Sequence, residues 1–282
     1  MRYCGREFPD EEIQLIQHLI ANTAGINRQK LSQRFCEEMN WRKPDGGLKE
    51  MSCRVAFLRM QKDGLIRLPA PRRVPCKPIP KRTLFAEPQP EIRKKAGAYE
   101  LQVELVGKDD SALWNEYIDR YHYLGYTPLS GAQLRYFVKA DDQVLALLGF
   151  SAAAWKTAPR DTYIGWDAET RKRNLHLIVN NCRFLVLPWV VSKNLASRIL
   201  SLASKRIVGD WQQRYNYAPV LLETFVEKER FQGTCYKATN WIHVGDTKGR
   251  GKLDVYNECK LPVKAVWLYP LRKDFRRRLI EG

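Results

Sequence analysis

The sequence predicts a mixed α/β (α+β) protein built in two parts, a small helical module followed by a larger mixed-sheet domain. Three observations carry that expectation. Up to about residue 68 the apolar residues recur at helical spacing. A proline-dense stretch then interrupts the chain, Pro69–Gly97, with seven of the fifteen prolines and eight basic residues against two acidic ones. Beyond it, β-branched and aromatic runs alternate with helical patterns, the signature of sheet and helix interleaved.

The module, residues 1–68, reads as three helices. In "FPDEEIQLIQHLI" Pro9 opens a helix, acids fill its first turn, and Ile13, Ile16 and Ile20 form one stripe. In "NRQKLSQRFCEEMNW" Asn27 is the cap, and Leu31 and Phe35 sit at i, i+4. The third, "KEMSCRVAFLRMQKDG", carries Met51, Val55 and Leu58 as its apolar positions and stops near Gly64. A short run, "LIRLP", follows as a terminal strand. That outline is a winged helix-turn-helix-like module, whose third helix enters the major groove. Its contact candidates are Lys49, Ser52, Arg54, Arg59 and Lys62, with Arg67, Arg72 and Arg73 following on. The alternative is a helical module that touches no DNA.

Proline at the density found in residues 69–97 blocks helix and central strand alike, so this segment reads as an extended basic linker. In residues 98–270, "SALWNEYIDRYHYLG" is a helix stopped by Gly125. "QLRYFVKA", "QVLALLGFSAAAW" and "LHLIVNNCRFLVLPWV" are strands, the first two joined by a tight turn at Asp141–Asp142. A long helix runs from Asn194 with Leu195, Ile199, Leu202, Ile207 and Trp211 buried; Arg198, Ser201 and Lys205 share its outer face. "PVLLETFV" is a strand, "GTCYKATNW" a short helix, "WIHVGDT" a strand, and "VKAVWLYPL" closes the domain. Residues 271–282 remain as a basic C-terminal tail. Helix, three strands, long helix, strand, short helix, strand resembles the GNAT-like acyltransferase fold. Those enzymes hold coenzyme A pyrophosphate on a glycine-rich turn, whereas this chain has "VVSKNLAS" there. Fold likeness without that turn gives acyl transfer little support.

The formal charge of +17 over 282 residues directs attention to polyanions, nucleic acid first. No apolar run approaches eighteen residues, so no membrane partner is expected. The seven cysteines, at 4, 36, 53, 76, 182, 235 and 259, form no C-x-x-C pair. With no apolar leader in "MRYCGREFPDEE", the expectation is a cytoplasmic protein with reduced thiols.

Several residues could carry chemistry. Glu223 lies inside an apolar strand, where a carboxylate is costly unless paired or catalytic. Asp161, Asp167 and Asp210 could join it in a carboxylate set for Mg²⁺, as in a nuclease; alternatively, Glu223 pairs with an arginine such as Arg183. Cys235 with His243 or His122 has the elements of a nucleophile and base, but cysteine is among the most often buried residues. His122 sits among tyrosines in "YHYLGY", where aromatic rings could stack on unpaired bases or simply pack on the sheet. In "GDTKGRGK" (Gly245–Lys252), glycines let backbone approach a phosphate beside Lys248, Arg250 and Lys252, although the Walker pattern fails.

The strings "YHYLGY", "RDTYIGW", "NNCRFLVLPWVVSKNLASRIL", "LLETFV" and "GTCYKATNW" with "GDTKGRG" together resemble the DruA family of Druantia anti-phage defence systems. "WRKPDGGLKEMSCRVAFLRMQKDGLIRLP" (Trp41–Pro69) is typical of that family too, and also resembles the front segment of some insertion-sequence transposases. The resemblance implies a bacterial protein acting with a large helicase-like defence partner, and no agreed catalytic residue. The expected function is a component that binds DNA, phage duplex or displaced strand, with oligomeric state left open. The alternatives are a metal-dependent nuclease using Glu223 and the aspartates, or a transposition accessory protein.

Overall fold

The computed structural model describes residues 1–23, 25–72, 79–93, 97, 99–250, 259 and 261–281. Arg73, Cys76 and Lys252, singled out above, lie outside the described residues. The chain divides into two units, Met1–Pro78 and Ile79–Gly282.

In the first unit a short hairpin, β1 (Arg2–Tyr3) with β2 (Arg6–Glu7), leads into α1 (Asp10–Asn22), α2 (Arg28–Glu38) and α3 (Glu50–Lys62). Three acids in the first turn of α1 follow Pro9, complementing the helix dipole. The Asn27 side chain accepts from the amides of Gln29 and Lys30 at 3.0 and 3.1 Å, so α2 is capped as expected. Ile13, Ile16 and Leu19 line the core, with Ile20 half-buried beside them. Phe8, Leu31, Phe35, Phe57 and Met60 complete it. Arg6 stacks over Phe8 at 4.7 Å while both its terminal nitrogens donate to Glu12 at 2.7 Å.

Two expectations fail here. The buried stripe of α3 is Cys53, Ala56, Phe57 and Met60, while Met51, Val55 and Leu58 face outward, 62%, 38% and 46% exposed. The helix is apolar around most of its circumference, and the larger side chains are not the ones that pack. Leu65–Pro69 also forms no strand. Gly64, at φ +78°, turns the chain so that the Leu65 amide reaches the Met60 carbonyl at 2.9 Å. The Leu68 amide, which a strand partner would take, donates to Gln61 Oε1 at 3.0 Å.

The second unit holds a seven-stranded sheet among its described residues, in the order β10-β11-β9-β7-β6-β5-β4. Its strands are β4 (Gln102–Leu105), β5 (Gln133–Ala140), β6 (Gln143–Ala152), β7 (Ile178–Val186), β9 (Leu221–Glu227), β10 (Ile242–Asp246) and β11 (Lys264–Pro270). A parallel pair, β3 (Ile92–Arg93) with β8 (Val190–Val191), stands apart. The helices are α4 (Ser111–Tyr121), α5 (Ala158–Ile164), α6 (Ala168–Asn174), α7 (Leu195–Tyr215), α8 (Thr234–Lys237) and α9 (Phe275–Glu281). The expected sequence of elements is present, with β3, β4, β8, α5, α6 and α9 added to it. Asp141 and Asp142 both have positive φ, as the two-residue turn between β5 and β6 requires.

Neighbouring residues of a strand point to opposite faces. On β5, Tyr136 reaches Asp210 of α7 at 3.0 Å, while Phe137 packs against Tyr117 of α4. α4 and α7 therefore cover opposite faces. Every strand pair in the large sheet is antiparallel except β7 with β9, which α7 connects as a crossover.

Residues 79–93, read from sequence as part of an extended linker, are strapped onto α4. The amide and hydroxyl of Thr83 both donate to the buried Glu116 carboxylate at 2.7 Å. Tyr117 and Tyr121 donate to the carbonyls of Phe85 and Ala86 at 2.7 and 2.6 Å. The basic tail is likewise ordered: α9 buries Phe275 and Leu279 against Ile164, Trp166 and Leu268.

The outward stripe of α3 leads to a stability test by chemical denaturation of the full chain. Met51→Ser or Leu58→Ser should shift stability by no more than about 0.5 kcal/mol. Phe57→Ala should cost about 3–5 kcal/mol.

Candidate functional site

The parallel pairing of β7 with β9 lasts three residues, Ile178–Asn180 against Leu221–Glu223. Beyond it the two strands part. At the fork Glu223 is wholly buried, and so is Arg160 of α5. Arg160 Nη1 donates to Glu223 Oε2 at 2.8 Å and to the Ala154 carbonyl at 2.7 Å. The Ala154 amide donates to Glu223 Oε1 at 2.7 Å. On its other edge Arg160 donates twice to Asp161 Oδ1, at 2.9 and 2.8 Å, where Trp166 Nε1 also donates at 3.1 Å. Asp161 Oδ2 accepts from the Thr157 amide at 3.2 Å and faces Arg171 at 3.5 Å. Glu223 thus pairs with Arg160, not Arg183.

The structure brings Glu223 and Asp161 together, but around a cation. Asp210 is elsewhere, on α7, bound to Arg206 at 2.7 Å and to the Tyr136 hydroxyl. Asp167 caps α6 through the Thr170 amide at 2.7 Å, which holds its carboxyl below the usual range. Among the described residues no three His, Cys, Asp or Glu side chains gather as metal ligands. A Mg²⁺ site built on Glu223 and Asp161 would have to displace a guanidinium that already satisfies both.

Above the fork lies a cavity of about 680 Å³, lined by Asn180 to Phe184 of β7, Thr224 to Val226 of β9, the end of α4, and α8. β7 bulges at Cys182, the extra residue between the Gly149–Arg183 and Phe150–Asn181 pairs. Arg183 is fixed through Nη1 to the Cys182 carbonyl at 2.7 Å and Nη2 to Thr127 Oγ1 at 2.8 Å. Asn181 accepts from the buried Tyr236 hydroxyl at 2.9 Å, tying α8 to the strand.

His122 lines the same cavity and is 8% exposed. Its Nδ1 accepts the Leu124 amide at 3.2 Å, so the proton of the neutral ring sits on Nε2. Burial, with Arg183 nearby, pulls its pKa down to about 4. The imidazole is therefore neutral at physiological pH and offers an N–H donor. Its ring stacks on Tyr123, which meets Phe231 edge-on at 5.3 Å; both aromatics are well exposed.

The remaining candidates divide. Burial pushes the Cys235 thiol up, away from a nucleophilic thiolate. His243, on β10, instead bonds Asp246 at 3.1 Å. Lys248 and Arg250 are exposed, and Arg250 lines the cavity. Gly249 is required by the chain itself: at φ +70° an added Cβ would stand 2.4 Å from the Leu261 carbonyl oxygen. In the first unit Arg59, Lys62, Arg67 and Arg72 are exposed, while Lys49, Ser52 and Arg54 are half-buried. Sequence reasoning did not single out Arg160 or Asn180. The second was signalled by "NNCR", a polar interruption of an apolar strand.

A second concavity, about 750 Å³, lies at the start of α7 and is lined by Lys193, Asn194, Ser197 and Arg198 among others. Asn194 adopts φ +66° there, so the turn reaches the left-handed region without glycine.

The family model described as Druantia protein DruA matches residues 77–259. No curated protein matches the chain. Among solved structures, it is similar to a spermidine N-acetyltransferase SpeG chimera from Vibrio cholerae and hSSAT, at 10% identity and TM-score 0.41, covering 61% of this chain and 96% of that one. The ribosomal-protein-S18-alanine N-acetyltransferase from Escherichia coli is similar at 7% identity and TM-score 0.37, covering 61% and 94%. Aminoglycoside acetyltransferase AAC(6')-Ib, in complex with coenzyme A, is similar at 12% identity and TM-score 0.41, covering 63% and 98%.

Two outcomes follow from the fork and the histidine. Arg160→Leu strands a buried carboxylate and should destabilise by about 3–5 kcal/mol in denaturant unfolding, with the R160L/E223L pair losing less. His122 takes a proton only near pH 4 when folded and near 6.5 when unfolded, so unfolding takes up a proton between those values. Stability should fall as pH drops from about 6.5 towards 4, and His122→Gln should flatten that slope in thermal melts.

Proposed function

The chain belongs to the Druantia protein DruA family of anti-phage defence components, and from that footing we propose that it is the nucleic-acid-binding component, acting with a helicase-like partner. The observation that carries this reading is the face made by α6 and α9. The two helices pack together, with Asn174 Nδ2 donating to the Leu279 carbonyl at 3.0 Å. Their outer sides expose Lys172, Arg173, Arg276, Arg277 and Arg278, and the turn leading into α9 exposes Arg272 and Lys273.

Only Glu169, Asp274 and Glu281 oppose these seven cations within residues 168–174 and 271–281. Asp274 is held by Arg272 and Arg278, which depress its pKa far below the usual carboxylate range. Lys273 and Arg276 form no ion pair among the described residues, and the Arg276 guanidinium lies over the Tyr163 ring at 4.4 Å. A rigid helix presenting unneutralised cations suits a phosphate backbone better than charge scattered on loops. The first unit supplies its own basic residues along and after α3, with Arg59, Lys62, Arg67 and Arg72 exposed. Duplex DNA is the partner this surface fits, through phosphate contacts that set position and carry no sequence information.

The test is salt dependence. Affinity for a random-sequence duplex should fall linearly with log salt, at a slope near −0.9 for each phosphate neutralised. The K273E/R276E/R277E variant should lower affinity roughly tenfold or more and flatten that slope by about 2–3. A salt-independent affinity, or a slope the triple variant leaves unchanged, overturns the proposal.

A further inference from the structure

The cavity above the β7–β9 fork has a lining unlike that of the basic helices. Among the described residues that line it none is an aspartate or glutamate, while Arg183, Arg250 and Lys264 all contribute to it. A concave surface with cations and no carboxylate concentrates anions. Its polar floor is also incomplete. Asn180 Oδ1 and Arg183 Nε are buried without a hydrogen-bond partner among the described residues. His122 also lines the cavity, and because its Nδ1 is taken by the Leu124 amide, Nε2–H is the donor its ring has left to offer. Buried polar atoms are rarely left unpaired, and two in one cavity call for a ligand or ordered water.

The mixture of groups narrows the ligand. A bare phosphate accepts from donors but gives nothing to a carboxamide oxygen. An edge bearing both N–H and C=O groups answers Asn180, Arg183 and His122 together, and nucleobases carry such edges. At the mouth, Tyr123, Leu124 and Phe231 are 38%, 43% and 48% exposed, a stacking surface that apolar packing leaves open. The volume of about 680 Å³ falls in the range of small-ligand sites, roughly 300–1,000 Å³.

We propose that this cavity takes a single nucleotide, its base edge on Asn180, Arg183 and His122, its ring against Tyr123 and Phe231, and its phosphate toward Arg250. The choice of nucleotide over other planar anions rests on the nucleic-acid reading above. The nucleotide is either an unpaired residue of a bound strand or a free mononucleotide.

The test uses the full chain, with Tyr123→Ala/Phe231→Ala as the variant, since both side chains stand at the exposed mouth and their removal spares the core. Nucleoside monophosphates, ribose 5-phosphate, coenzyme A, a short single-stranded oligonucleotide and a duplex are titrated in turn. Saturable binding of a monophosphate, with ribose 5-phosphate at least about tenfold weaker and the variant about tenfold weaker, supports a free nucleotide. If monophosphates do not saturate but the variant loses about tenfold for the single strand and nothing for duplex, the occupant is an unpaired residue of the strand. Monophosphate binding without any binding of strand or duplex keeps this inference and removes the nucleic-acid reading. Strand binding that the variant leaves unchanged, with no monophosphate bound, removes this inference and keeps that reading. Tyr123- and Phe231-dependent binding of coenzyme A with none of a monophosphate also overturns it.

Discussion

Everything about the larger unit turns on where β7 and β9 stop being neighbours. Parallel strands ordinarily continue their ladder until one ends, but here the ladder stops at Asn180–Glu223 while both strands run on. Parting two strands in a core exposes backbone groups that need other partners. The fork is held by a buried guanidinium: Arg160 satisfies Glu223 and the Ala154 carbonyl, and Asp161 satisfies Arg160. A buried ion pair of this kind adds little net stability against a well-packed apolar substitute, but losing one partner is severe. Its consequence is geometric. It fixes the apex of a wedge whose walls carry Arg183, Asn180 and His122, and the clamp meets the cavity at Ala154 while its charged side chains stay outside the lining.

That clamp explains what the sequence revealed and what it withheld. The turn at Asp141–Asp142, the cap at Asn27 and the strand limits of β5 were legible because each is decided within a few residues. Glu223 was legible as anomalous, a carboxylate in an apolar run. Its partner was not, because Arg160 sits in a seven-residue helix that no periodicity marks, 63 positions away. The strap shows the same limit. Proline density correctly excluded helix and central strand, yet the reason residues 79–93 dock on α4 lies in Glu116, whose buried carboxylate needs Thr83. In α3 the pattern itself misled. Cys53 and Ala56 pack where larger Met51, Val55 and Leu58 do not, and side-chain size outweighed position in the reading.

Charge is distributed in a way that composition cannot convey. Much of it is paired locally: Arg6 with Glu12, Arg120 with Glu116 and Glu87, Arg206 with Asp210. The excess is what remains after those pairs, and it is denser on α6 and α9 than the even spread that solubility alone would need. Phe275 and Leu279 matter to this because they bury one side of α9 and thereby aim the other outward. A disordered tail of the same composition would attract polyanions too, but would lose ordering entropy on contact. Packing the helix beforehand removes that cost.

The titratable groups of the wedge are tuned in one direction. Burial holds His122 neutral and Cys182 and Cys235 as thiols, while Arg160 keeps Glu223 occupied. A general base needs a pKa near the working pH, and a nucleophile needs an accessible anion; these side chains are moved away from both conditions. What such tuning preserves is a fixed pattern of donors and acceptors, unchanged across the physiological pH range. A recognition surface needs that constancy, because a donor that became charged within the working range would alter its preference for a partner. The same burial that weakens these groups as catalysts therefore keeps their donor and acceptor pattern constant as pH changes.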